Sequence, residues 1–345
     1  MNLNKLDKIV LNWHITQACN FACKHCFATK HPACGGRVAS SEQGIQSLLR
    51  KLHGAFSQEY NAIRLNIAGG EPLLEPKLDF IIAEAKSVGF ELSMISNGSL
   101  LAELGGFDSR AWIEKNAPHL SLFGISVDSL HSETNAKIGR ILRKNPHLNP
   151  SKGEKMREFL SENSRPSPQR LDFLGENLRL KGEKIAKISE NSRQKVSAKT
   201  LSPQAILEIA RLLRASNDKI ALKINTVVTK HNYGEYFGDF IRALKPEKWK
   251  VLQALSIGTA QIFCENEHFE AFVGWHRGFE GVISVESREQ MTNSYLMLDE
   301  FGRFYQNQNS RYAYSPPLLQ MSADEILNAH FDKEKFQKRY SGGVK

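Results

Sequence analysis

Three cysteines in one short stretch, Cys19-Asn-Phe-Ala-Cys23-Lys-His-Cys26, are the residues of this chain whose type and spacing speak most directly of chemistry. Thiolates spaced C-x3-C-x2-C in a single loop can wrap one face of a four-iron, four-sulfur cubane and leave the fourth iron without a protein ligand. A catalytic metal centre keeps such an open position, whereas a structural one closes it. The competing reading is a structural zinc site with Cys34, beside Gly35 and Gly36, as the fourth ligand. Structural zinc is usually gripped by two paired knuckles, and no second C-x2-C occurs in the chain.

The logical occupant of an open iron is S-adenosylmethionine (SAM), whose amino and carboxylate groups can chelate it. One electron passed from the cluster to the sulfonium then yields a 5′-deoxyadenosyl radical. Further along, Ala68-Gly69-Gly70-Glu71-Pro72 resembles the GGE segment of radical SAM enzymes, in which glycines allow the backbone to approach the SAM ammonium closely. Ser96-Asn97-Gly98-Ser99 and Ile125-Ser126-Val127-Asp128-Ser129 each end a strand-like run, where a barrel presents its functional face. Ser126 is placed to hydrogen-bond the SAM carboxylate and Arg140 to pair with it. Taken alone, these segments read equally well as a turn and a capped helix. His25 departs from the radical SAM pattern, which usually has an aromatic apolar residue before the third cysteine.

A second set of residues points to a substrate. In Leu222-Lys223-Ile224-Asn225-Thr226, Lys223 and Asn225 are two apart and so share one side of a strand. Lys248 and Lys250 share a side likewise, with Trp249 and Val251 opposite, and Arg64 and Asn66 repeat the pattern. Cations turned inward on several strands make a positive interior, which a polyanion such as a triphosphate would neutralise. The bland reading is that these side chains project past the barrel mouth into water.

The elements that must hold these residues follow from periodicity. Strands are expected over Ile9–Ile15, Ala62–Ala68, Phe90–Ile95, Leu120–Val127, Lys219–Val228 and Trp249–Ile257. Helices are expected over Ser40–Phe56, Lys77–Val88, Ser109–Lys115 and Tyr233–Leu244, and another opens at the N-cap Ser202 with Pro203 at its first position. Strand–helix alternation with short links implies parallel strands covered by helices: an α/β, TIM-like partial (βα)6 barrel formed by residues 1–142 and 200–260. Between Arg143 and Lys199, fourteen basic residues face seven acidic ones, so +7 of the chain's formal +9 lies there. That stretch, 143–199, is poor in apolar periodicity and reads as a basic surface insertion. Residues 261–345 form a C-terminal extension closing the active site, with a strand at Tyr295–Leu298 and a capping box, Ser322-Ala323-Asp324-Glu325, opening a helix over Ala323–His330.

With 345 residues and 41% hydrophobic content the chain can bury a large core. Five cysteines, three of them crowded, do not make an extracellular disulfide framework, and no run approaches the roughly 18–20 apolar residues of a membrane span. The expected compartment is the reducing cytoplasm.

The blocks Asn12-Trp-His-Ile-Thr, AGGEP, SNGSL, ISVDS, IGR, LKINTVV, ALKPEKWKVLQAL and NSYLMLDEFGRF, in that order, resemble the viperin family over nearly the whole chain outside 143–200. The resemblance implies a radical SAM nucleotide dehydratase of antiviral defence. Such an enzyme converts a ribonucleoside triphosphate to its 3′-deoxy-3′,4′-didehydro analogue, an RNA chain terminator. By position, it implies that Cys19, Cys23 and Cys26 hold a 4Fe–4S cluster completed by SAM. Gly69, Gly70, Glu71, Ser96, Ser126 and Arg140 fall at SAM. Arg64, Lys223, Lys248 and Lys250 fall at the triphosphate, and Asn12 and Asn225 at the nucleotide. Tyr295 falls where a proton or hydrogen donor has been proposed, and Lys338 and Arg339 could close over the phosphates. CTP is the first expectation, with UTP and GTP as alternatives, because the resemblance carries no base selectivity. Lys248 stands where animal viperins have Arg, which keeps the charge and loses the bidentate fork. The short stretch ahead of Cys19 fits a soluble, prokaryote-type viperin without the animal enzymes' membrane helix. Implied partners are the nucleotide and an electron donor such as flavodoxin or ferredoxin, with no membrane and no stable nucleic-acid partner.

Two other classes compete. A molybdenum-cofactor-type GTP cyclase needs a second cysteine-bound cluster, and beyond Cys34 only Cys264 is available. A zinc-stabilised nucleic-acid-binding protein would use the basic insertion and bind RNA in a salt-sensitive way.

Overall fold

Residues of the first strand alternate between two environments, and that alternation organises the molecule. The computed structural model of the chain describes residues 6–28, 31–102, 107–143, 200–255, 262–308, 311–328, 332 and 334–337. Ile9, Leu11 and Trp13 of β1 (Leu6–His14) are fully buried on the side that faces the helices. Their neighbours Val10, Asn12 and His14 line an internal cavity instead. The same parity holds in β2 (Tyr60–Ala68), β5 (Ala221–Val228) and β6 (Lys248–Gln253), where Leu65 and Ile67, Leu222 and Ile224, and Trp249 and Val251 are core residues. Two-residue periodicity thus sends apolar groups outward to the helices and polar groups inward.

The strands β1, β2, β3 (Glu91–Ser96), β4 (Leu122–Ser126), β5, β6 and β7 (Ile283–Glu286) pair in that order, every pair parallel. Between them run α1 (Glu42–Phe56), α2 (Leu78–Val88), α3 (Ser109–Asn116), α4 (Ser132–Lys137), α5 (Pro203–Ser216), α6 (Gly238–Leu244) and α7 (Asn266–Trp275). This is a partial barrel as expected, but with a seventh parallel strand, β7, drawn from the stretch expected to be a C-terminal extension; the sheet ends there on one side. Side chains cap α1 and α5: Ser41 accepts from the Gly44 amide and Ser202 from the Ala205 amide, with Pro203 at the first position as expected. Gly89 ends α2 in the left-handed region, φ 112°, where a side chain would be strained.

The C-terminal part also joins the sheet. A short helix α8 (Arg288–Met291) follows β7. The strand β8 (Leu296–Leu298) then lies parallel to β1, and β9 (Arg303–Gln308) and β10 (Arg311–Pro317) continue antiparallel beyond it, giving a sheet of ten strands among the described residues. The reciprocal capping box of Ser322 and Glu325 opens α9 (Ala323–Leu327).

Several elements are shorter than expected, among them the last helix, which ends at Leu327, and two of them have a visible cause. The expected helix Tyr233–Leu244 begins only at Gly238, because the Asn232 side chain bonds the Thr229 amide and the Val227 and Asp128 carbonyls, and Glu235 is held by Ser129 and the Leu130 amide. These contacts hold the loop in a turn and tie it to the end of β4. The sixth strand stops at Gln253, whose amide turns to the Cys264 carbonyl and Asn266. The basic insertion beyond Arg143, together with Lys338 and Arg339, lies outside the described residues.

Candidate functional site

Every described candidate site residue except Glu71 lines a single cavity of about 380 Å³ inside the partial barrel. The parallel register orders it. The cysteine loop follows the carboxyl end of β1, while Arg64 lies at the middle of β2 and Lys223 and Lys248 sit nearer the amino ends of their strands, directly opposite each other.

At the cysteine end the loop is pinned by backbone. The Gly70 amide donates to the Thr16 carbonyl at 2.7 Å and the Glu71 amide to the Ala18 carbonyl at 2.8 Å. A Cβ on Gly69 would approach the Thr16 carbonyl oxygen to 2.7 Å, and one on Gly70 would run into the Ala18 carbonyl. Only glycines let the end of β2 pass so close beneath the cysteine loop. On its far side the loop bonds segment 138–143: Lys24 donates to the Ile138 carbonyl, Arg143 to the Asn20 carbonyl, and Phe21 bridges Leu142.

Glu71 is fully buried and does not line the cavity. Its carboxylate accepts from the Leu73 amide at 3.1 Å, the Ser96 hydroxyl at 2.9 Å and the Asn97 amide at 2.7 Å, so it ties the end of β2 to the end of β3. Burial pushes it up to about 7 against those three donors. The Ser96 hydroxyl also accepts from the Gly98 amide. Arg140 is buried and paired with Asp128 at 3.1 Å, and it donates to the Ser126 carbonyl. His25 Nε2 lies 3.2 Å from the same Asp128 carboxylate. Burial raises Asp128, but Arg140 and then His25 outweigh it and hold it at about 2. Asp128 and Asn97 are thus site residues that the sequence reading quoted in its motifs without giving them a role.

At the lysine end, Lys250 forms an ion pair with Glu286 at 2.8 Å, and its ammonium stands 4.6 Å from the centre of the Tyr295 ring. The Tyr295 hydroxyl donates to Glu286 and accepts from Lys250. Arg64 pairs with Glu91, which also holds Lys8. Glu286 and Glu91 therefore supply part of the compensation that the inward cations need, a correction to the expectation of a wholly unpaired positive interior. Neither acid carries a local signal, since each meets its cation through strand pairing rather than spacing. Lys223 is different. Desolvation, then the like charges of Lys250 and Lys248, push its ammonium well below the usual lysine range against the opposing pull of Glu286. Between the two ends, Asn66 donates to Asn12 and accepts from Ser93, both at 2.9 Å, and Asn12 donates on to the Leu296 carbonyl at 3.3 Å. Asn225 lines the wall beside Lys250.

The donor set distinguishes the two metal readings. Cys19, Cys23 and Cys26 line the cavity and take part in no disulfide among the described residues, and Cys34 does not line it. Among the described residues, no three His, Cys, Asp or Glu side chains converge on a single-ion site. Tetrahedral zinc requires such convergence at about 2.3 Å from each sulfur. A cubane takes each cysteine on a different iron and does not. Burial pushes Cys19 up to about 12 and raises Cys23 as well, while the Arg140 charge pulls both down. Thiols held this way ionise readily only beside added positive charge, which a metal centre provides. Two buried polar atoms that reach the cavity, His25 Nδ1 and the Tyr312 hydroxyl, have no partner within the described residues.

Comparison with known proteins agrees with this architecture. The Radical SAM superfamily model matches residues 13–149. An S-adenosylmethionine-dependent nucleotide dehydratase of Psychrobacter lutiphocae is 31% identical, over 98% of this chain and 97% of its own length. A protein of the same name from Pseudoalteromonas ulvae is 30% identical, over 99% and 95%. The S-adenosylmethionine-dependent nucleotide dehydratase RSAD2 of Danio rerio is 25% identical, over 95% and 76%. Among solved structures, anSMEcpe with bound AdoMet and a peptide superposes with a TM-score of 0.56 at 15% identity, over 96% of this chain and 84% of that one. Streptococcus suis SuiB bound to S-adenosylmethionine gives 0.53 at 12%, over 96% and 67%. These two likenesses concern the fold.

Proposed function

The chain belongs to the S-adenosylmethionine-dependent nucleotide dehydratases, radical SAM enzymes, and from that premise we propose that it dehydrates CTP to the 3′-deoxy-3′,4′-didehydro analogue. UTP and GTP are the alternative substrates. The product terminates viral RNA chains, so the activity serves phage defence in the cytoplasm. No helix among the described residues is long and apolar enough to cross a membrane. The observation that carries the substrate class is the clustering of Lys223, Lys248 and Lys250 in the cavity that also holds the cysteines: Lys223 lies opposite Lys248 across the strand pair, and burial, then the charges of Lys250 and Lys248, push its ammonium below the usual lysine range. A polyanion placed there removes that mutual repulsion.

In this reading Cys19, Cys23 and Cys26 hold the cluster, and Gly69, Gly70, Ser96, Ser126 and Arg140 surround SAM. Glu71 serves by fixing the strand ends. Bound together, cluster and SAM supply a carbon-centred radical that removes a ribose hydrogen. The chain's residues do the rest. Arg64, Lys223, Lys248 and Lys250 grip the triphosphate, and Asn12 and Asn225 steady the sugar and base. Loss of the 3′ hydroxyl as water after removal of the hydrogen atom consumes a proton, which the Tyr295 hydroxyl held between Glu286 and Lys250 can deliver. It also consumes one further electron from the donor protein, which leaves the neutral alkene. The C-terminal extension closes the cavity with Tyr295. A one-electron donor protein completes the system.

The test is an anaerobic assay of cluster-replete protein with CTP, UTP and GTP separately, following 5′-deoxyadenosine and a nucleotide product lighter by one water. Stimulation by CTP is expected. If no triphosphate stimulates SAM cleavage, the substrate assignment is wrong.

A further inference from the structure

Three exposed lysines meet on the face that carries the cysteine loop. Lys24 stands between Cys23 and Cys26, Lys137 ends α4, and Lys230 follows β5, so the three come from loops at the carboxyl ends of β1, β4 and β5. The loops are fastened to one another. The Lys24 amide donates to the Ile138 carbonyl at 2.9 Å, and the Asn232 side chain bonds the Asp128 carbonyl. Fixed loops hold the three charges together, although like charges repel. His231 lies among them: burial, then the charges of Lys230, Lys24 and Lys137, push its pKa down. Among the described residues none of the three ammonium groups has a carboxylate partner, and no ion pair joins the exposed Glu133 on α4 to Lys137. The catalytic cations do not account for this patch, since none of the three lysines lines the cavity.

We propose that Lys24, Lys137 and Lys230 form the docking surface for an acidic one-electron donor protein. The inference rests on the reading of Cys19, Cys23 and Cys26 as cluster ligands. Electron transfer needs the donor's prosthetic group near the cluster, and Lys24 belongs to the very loop that carries the ligands. An unpaired positive surface there attracts a negatively charged partner and orients it over the loop. The donor is oxidised by one electron, the centre held by the cysteines is reduced by one, and no atom is exchanged. Patch and cavity thus divide the labour: cations inside for the substrate, cations outside for the reductant.

The experiment measures binding of reduced flavodoxin, an acidic flavoprotein chosen as probe, to cluster-replete enzyme under anaerobic conditions. Wild type is compared with Lys137→Glu/Lys230→Glu at about 20 mM and about 200 mM ionic strength, on either side of the point where the Debye length is near 10 Å. The double variant should bind at least about tenfold more weakly at low salt, with a flatter salt dependence. Dithionite, a small reductant that needs no protein docking, should reduce the cluster equally in both proteins by electron paramagnetic resonance. Wild-type affinity and salt dependence in the variant would overturn the proposal. So would a loss confined to single-stranded RNA, run in parallel, with flavodoxin binding unchanged. If dithionite-reduced wild type makes no 5′-deoxyadenosine with any triphosphate, the function proposed above fails, while the binding result stands by itself.

Discussion

At the cysteine end of the cavity, the charged side chains find their partners within the protein: Glu71 with Ser96 and Asn97, Arg140 with Asp128, and Asp128 with His25. At the lysine end, Glu91 and Glu286 offset Arg64 and Lys250, yet Lys223 still sits among like charges. One end is a prebuilt frame whose hydrogen bonds hold the backbone. The other keeps an excess of positive charge that a ligand can remove. Rigid geometry suits a metal centre whose ligands must stand at fixed points, and residual charge suits a mobile polyanion that must enter and leave.

The sharpest way to break the comparison is at the frame. Cys19→Ala, Cys23→Ala and Cys26→Ala should each abolish cluster assembly and activity, while Cys34→Ala and Cys264→Ala leave both. Iron and sulfide analysis after anaerobic purification reads this directly. A full cluster in Cys23→Ala would remove the basis for distinguishing the two ends.

Gly70→Ala is the next test, because the added Cβ meets a main-chain carbonyl rather than a flexible side chain. The cost should be about 1–3 kcal/mol of stability. The protein should melt earlier and bind less iron, although every cysteine is present. Unchanged melting and iron content would show that the frame is looser than its hydrogen bonds suggest.

Lys223→Ala and Lys250→Ala should act on the other end alone. Each charge-assisted phosphate contact contributes on the order of 1.5–3 kcal/mol, about a tenfold to hundredfold change in affinity. Triphosphate binding should weaken by that factor, with iron content and slow background SAM cleavage retained. Loss of the cluster in either variant would mean that the two ends are one structural unit.

The sequence made one end more legible than the other. The cysteine loop and Gly69-Gly70 are local signals, because spacing alone places three thiolates in one loop and two glycines at a strand end. Inward parity of Lys223, Asn225, Lys248 and Lys250 was also readable, since a two-residue period fixes the side. Their acidic partners were not. Lys250 meets Glu286 only because β6 pairs with β7, and Arg64 meets Glu91 only because β2 pairs with β3. The strand β7 has four residues, β9 reads Arg-Phe-Tyr-Gln-Asn-Gln, and β10 ends in two prolines, so propensity gave little warning of any of them. Glu71 illustrates the converse: the motif was visible, but the direction of its carboxylate depends on Ser96 and Asn97 from another strand.

The smallest expected effect concerns Glu91, where the lysine end has its own counter-charge. Burial raises its pKa, but Arg64 and Lys8 outweigh burial and hold it at about 2, below the ordinary value of 4.5. A carboxylate depressed in the folded state contributes stability above its unfolded pKa and loses it as pH falls toward the folded one. The contribution should therefore be present at pH 6 and fade between about pH 4.5 and pH 2. Glu91 is partly exposed, so solvent screens the pair and the effect should be modest. Thermal melts of wild type and Glu91→Gln should differ most near pH 6 and converge as pH is lowered. The same substitution releases Arg64, so triphosphate should bind slightly more tightly to Glu91→Gln at neutral pH. A gap in melting temperature that stays constant down to pH 3 would show that Glu91 acts through packing. Weaker triphosphate binding would show that it positions Arg64 rather than competing for it.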